Sequence, residues 1–119
     1  MAAKTFTVTH GILRIRVRVL PTIADVHREW LRAGGTRRRD GKVIPAFFRS
    51  TQSPYAKTIG LIVLPLDGRL GELVPHEVTH AVLHKVDSVH CVDDEKFATA
   101  VGLLSARIFK RIEQMGVAV

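Results

Sequence analysis

Residues 13–20 read "LRIRVRVL", with Leu13, Ile15, Val17 and Val19 separated by Arg14, Arg16 and Arg18. Successive side chains of a strand point to opposite faces, so a strict period of two means a strand with one dry face and one wet face. Together with the preceding "TFTVTHGI", the stretch reads as one strand bent at Gly11. The three arginines share one sheet face. In the plainest reading they are the solvated side of an antiparallel sheet; spaced this way they can also track a phosphate backbone.

Three other segments have the periods of regular structure. "TIADVHREWLRAGG" predicts a helix capped by Thr22, with Ile23, Val26, Trp30 and Leu31 on one stripe and Gly34-Gly35 as its stop. His27 falls in this helix as a boundary residue. "TIGLIVLP" is a compact apolar strand closed by Pro65, followed by a loop, "LDGRLG". Near the C-terminus, Phe97, Val101, Leu104, Ile108 and Ile112 recur at spacings of three and four. They predict a helix that opens near the acidic Asp93 and ends at Gly116. Between these, "TRRRDGKVIPAFF" reads as a basic loop with a turn at Asp40-Gly41 and a short strand, and "RSTQSPYAK" as polar turn material.

A chain of 119 residues supports one domain, residues 1–119, with one modest core. No run approaches the roughly 20 apolar residues that span a bilayer. The start, "MAAKTFTVTH", lacks an apolar signal core, so an intracellular, cytoplasmic protein without membrane contact is expected. Cys91 is the sole cysteine, which excludes an internal disulfide and a Cys-rich zinc finger. Eighteen Lys and Arg against eleven Asp and Glu give a net charge of +7. That field favours encounter with polyanions or serves solubility alone. Arg37, Arg38 and Arg39, with Arg14, Arg16 and Arg18, are the candidate contacts to nucleic acid.

The chemistry concentrates in "VPHEVTHAVLHK", residues 74–85, where His76-Glu77-Val78-Thr79-His80 has the form H-E-x-x-H. On a helix, positions i and i+4 lie one above the other. His76 and His80 can therefore turn two imidazole nitrogens to one metal ion, and tetrahedral zinc accepts such ligands. Glu77, one position round, suits a different role. It can accept a proton from a metal-bound water and return it to a leaving group. The helix is expected to start between Leu70 and Pro75, with Pro75 in its first turn, because deeper in a helix proline removes a hydrogen bond and clashes.

Strand "TIGLIVLP", helix "HEVTH" and a following helix with an early glutamate resemble the minimal core of the zincin metallopeptidases. The likeness is to the Glu-zincin branch and to small phage or bacterial HExxH proteins with "DDEKFATAVG"-like sequence after the motif. It covers roughly residues 57–105. The resemblance implies an α+β fold, a small mixed sheet with one early helix and two C-terminal helices. It further implies zinc held by His76, His80 and Glu95, Glu77 as general base, and a peptide or protein substrate. The apolar strand would then be the edge strand along which an extended substrate pairs.

His90 and Asp94 compete with Glu95 for the third ligand position. A histidine ligand at 86 with Gly at 83, as in metzincins, is excluded by Leu83 and Val86. His84 would have to reach across two turns, about 12 Å of helix rise from His76. The sequence departs from thermolysin-like relatives at Thr99, where they carry an aspartate that supports a zinc histidine. Tyr55 is a candidate for oxyanion stabilisation. The rival function is a basic zincin-fold module that binds protein or nucleic acid without hydrolysis; a DNA-linked protease would combine both.

Overall fold

The computed structural model describes residues 3–36, 40–51, 57–86 and 94–116. Its elements run β1 (Lys4–His10), β2 (Leu13–Leu20), α1 (Ile23–Arg32), β3 (Phe47–Ser50), β4 (Gly60–Pro65), α2 (Leu70–Val86) and α3 (Asp94–Gln114). The four strands form one mixed sheet in the order β1-β2-β4-β3. The β1–β2 and β3–β4 pairs are antiparallel, and β2–β4 is parallel. This is the α+β arrangement the sequence implies.

Two expectations are corrected by this topology. The run through Gly11 is not one bent strand but a hairpin, in which His10 pairs with Leu13 and Lys4 with Val19. Gly11 opens the two-residue loop at a φ of 59°, the left-handed conformation that a tight hairpin demands of its first loop residue and that glycine adopts without steric cost. The apolar strand β4 is not an edge strand either. It lies between β2 and β3, buried on both sides, and the edges are β1 and β3. An interior position explains why its sequence is a continuous apolar run rather than an alternating one.

The sheet divides the molecule into two unequal layers. On one face Phe6, Val8, Ile15, Val17, Ile62 and Leu64 pack against Val74, Val78 and Val82 of α2 and Leu104, Ile108 and Ile112 of α3. Each such side chain, fully buried, contributes about 1.5–3 kcal/mol relative to exposure. The other face has a smaller cluster, Leu20, Val26, Phe47 and Val63, covered by α1 with Trp30 packed edge-on to Phe47. The Thr22 side chain accepts from Asp25 N–H and the Asp25 carboxylate accepts from Thr22 N–H, a reciprocal cap on α1. The Asp67 carboxylate, from the loop after β4, accepts the next free donor, Ile23 N–H, at 2.8 Å. His27 Nδ1 accepts from Ile44 N–H at 3.0 Å, which ties the segment before β3 to α1.

Helix α2 begins at Leu70, where Arg69 O accepts from Leu73 N–H at 2.9 Å. Pro75 therefore falls in the second turn, not the first. The bond it forfeits would have gone to the carbonyl of Gly71, and Gly71 is exposed, so water can take the vacant acceptor. Helix α3 buries the expected stripe, with Phe97 and Val101 half-buried at its start. It closes on Gly116, at a φ of 83°, as a glycine-terminated helix does. No helix among the described residues is long and apolar enough to cross a membrane.

Candidate metal centre

The wheel of α2 decides what its histidines can do. Leu70, Val74, Val78, Ala81 and Val82 form the stripe that packs on the sheet and α3. His76 and His80 lie away from that stripe and are not buried in it. Glu77 stands between the two sectors, about 100° from His76 and about 60° from His80 at 100° per residue. It shares an i,i+4 line with Ala81, and its carboxylate is drawn into the edge of the core, where the residue is only 5% exposed.

His76 Nε2 and His80 Nε2 are 3.1 Å apart, with ring centroids at 4.7 Å and the rings crossing at 79°. Two nitrogens bound to one tetrahedral zinc, each at about 2.0–2.1 Å, sit roughly 3.3 Å from one another. The two nitrogens are thus already spaced as ligands of one ion. Glu77 Oε1 lies 3.9 Å from His76 Nε2, and ligand atoms of His76, Glu77 and His80 all fall within 4.8 Å of each other. These three residues form a group that could hold a metal ion. Burial pushes the Glu77 carboxyl above the ordinary glutamate range, partly offset by the neighbouring His76. A carboxylate in that position holds a proton more readily than one in water.

Thr79 Oγ1 donates to the carbonyl of Pro75 at 2.7 Å, one turn back. His84, a further turn along, is exposed and its ring packs against Phe48 of β3 at a centroid distance of 5.9 Å. It is not part of the three-residue group.

Glu95 lies in the first turn of α3, exposed, and its carboxylate is not among the atoms grouped within 4.8 Å. Asp94 is the first residue of α3. Thr99 is exposed on the same helix. His90, Cys91, Tyr55, Arg37, Arg38 and Arg39 lie outside the described residues. Arg107, exposed on α3, donates from its guanidinium to the carbonyl of Thr9 and ties α3 to β1. The burial of Glu77 was the feature that motif reading alone missed, although the stripe from Leu70 to Val82 already implies it.

The chain matches no protein-family model, and no curated protein or solved structure matches it.

Proposed function

We propose that the chain is a zinc-dependent hydrolase of the zincin type, acting on peptide or protein. The observation that carries this reading is the pair of imidazole nitrogens 3.1 Å apart with a buried carboxylate beside them. A purely structural site has no need of that carboxylate. In this proposal His76 and His80 hold the metal, and Glu95 completes the set in preference to His90 or Asp94. Zinc in such a site supplies Lewis acidity, which acidifies water and polarises a carbonyl.

The protein's own contributions follow from its side chains. Glu77 takes a proton from the attacking water and delivers it to the leaving amine; burial raises its proton affinity above that of an ordinary glutamate, the direction that suits a residue which must both take and return a proton. Their i,i+4 placement on one helix keeps the two imidazoles in register. Strand β3 ends the sheet on the side nearest α2, and its outer backbone edge can pair with an extended substrate. That edge takes over the role that the resemblance gives to β4.

The test is Glu77→Gln, which preserves volume and both histidines. Hydrolysis of a peptide library should fall by about 10² to 10⁴ or more, with zinc retained. Undiminished cleavage by Glu77→Gln would remove Glu77 as the base, and a zinc-loaded native protein that cleaves nothing would count against hydrolysis and leave a binding module. Glu95→Ala should weaken zinc binding more than His90→Ala; the reverse order moves the third ligand to His90.

A further inference from the structure

The face of the sheet that α1 covers only in part carries a groove that the metal centre does not use. Its volume is about 500 Å³, and its lining includes Arg16, Arg18, Arg49, Thr5, Ser50 and Thr58. None of the described lining residues is acidic. The register explains how it is built. Thr7 pairs with Arg16, Arg16 with Leu61, and Leu61 with Arg49, so one row across four strands reads hydroxyl, guanidinium, apolar, guanidinium. In the next row Thr5 pairs with Arg18 and Arg18 with Val63, which α1 already covers.

The arginines are held differently. Arg18 is fixed to α1 by Glu29 at 3.2 Å, and its Nε is buried with no hydrogen-bond partner among the described residues. Arg14, Arg16 and Arg49 are exposed, and none of them forms an ion pair among the described residues. Each guanidinium carries five N–H donors, so the exposed Arg16 and Arg49 give the groove hydrogen-bonding capacity open to a ligand.

Spacing distinguishes the classes of anion. Arg14, Arg16 and Arg18 recur about every 6.6 Å along β2, and Arg49 stands two strands from Arg16, about 9.5 Å away at the backbone. A lone phosphate needs guanidinium groups that converge on it. These are spread as a band, which suits successive charges of a polyanion, and the net charge of +7 steers such a chain toward the protein. No aromatic ring among the described residues lines the groove, so the described lining offers bases no stacking platform and recognition by it falls on the backbone.

We propose that this sheet face binds the phosphate backbone of nucleic acid without sequence preference, through Arg16 and Arg49 with Arg14 and Arg18 beside them. The site lies across the sheet from the metal centre and does not depend on it. The test is binding of a labelled duplex oligonucleotide by the full chain between about 50 and 200 mM salt, comparing the native protein, Arg16→Ser/Arg49→Ser and Arg69→Ser/Lys110→Ser. The last variant removes the same charge from exposed sites elsewhere. The groove variant should lose at least about tenfold in affinity at the low-salt end, and its salt slope should flatten by about 1.8, since each phosphate contact contributes about 0.9. The control should lose far less. Equal losses in the two variants would reduce the effect to net charge and overturn the proposal. So would absence of native binding at low salt, or equal affinity for polyglutamate, which would make the ligand an acidic protein.

Discussion

The two faces of the sheet hold functional groups of opposite construction. On the α2 side, two histidines and a glutamate within one short stretch are brought together by a single helix. On the α1 side, arginines from β2 and β3 are brought together only because β4 inserts between those strands in one particular register. The first group is local, and forms wherever its helix forms. The second depends on contacts between residues distant in the chain. A perturbation of register should therefore damage the groove and spare the spacing of the imidazoles.

Gly60→Ala is the sharpest way to break that contrast. A Cβ at Gly60 would overlap the carbonyl oxygen of Arg49 and the ring of Phe48, so β3 must shift against β4. Overpacking of this kind costs about 1–3 kcal/mol, measurable by urea unfolding. At concentrations where the variant remains folded, oligonucleotide affinity should fall while zinc affinity holds. Equal loss of both would show that α2 is as sensitive to β3 as the groove is, through the contact of Phe48 with His84.

A smaller effect sharpens the metal side. With the Glu77 carboxyl raised by burial, the folded metal-free protein favours its protonated form more than the unfolded chain does. The stability that this preference supplies is complete below the ordinary glutamate range and is lost as pH rises through the raised folded-state value. Gln at position 77 has no ionised form to bury. Metal-free Glu77→Gln should therefore melt higher than the native chain at neutral pH, and the gain should vanish as pH falls into the ordinary glutamate range. A variant that melts lower at neutral pH would mean that the carboxylate finds a stabilising partner in the fold.

The same division explains what could be read from sequence. The i,i+4 histidines, the Thr22 cap and the α3 stripe follow from periods within one element, and each appears where the sequence implies it. The hairpin at Gly11 was legible in principle: the buried positions change from even numbers in β1 (Phe6, Val8) to odd numbers in β2 (Ile15, Val17), and a single strand cannot change parity without a bulge or a turn. The place of β4 inside the sheet was signalled by its unbroken apolar run. Nothing local announces Arg49. It sits in "RSTQSPYAK", which reads as turn material, and only pairing with β4 brings it level with Arg16. Pro75 in the second turn also escaped sequence reasoning, because its tolerance depends on the exposure of Gly71 one turn away.

Zinc titration of the purified, metal-stripped chain tests the central claim most directly, with the native protein beside His76→Ala, His80→Ala and Glu77→Gln. The imidazoles lie outside the core, so both histidine variants should fold and should bind essentially no zinc. The native chain and Glu77→Gln should each take up about one equivalent, because in the proposed site the histidines supply the ligand atoms and Glu77 is a base beside them. A native chain that takes up no zinc at micromolar concentration contradicts the site itself. Loss of zinc in Glu77→Gln as complete as in His80→Ala would make Glu77 a ligand and remove the base that the proposed hydrolysis requires.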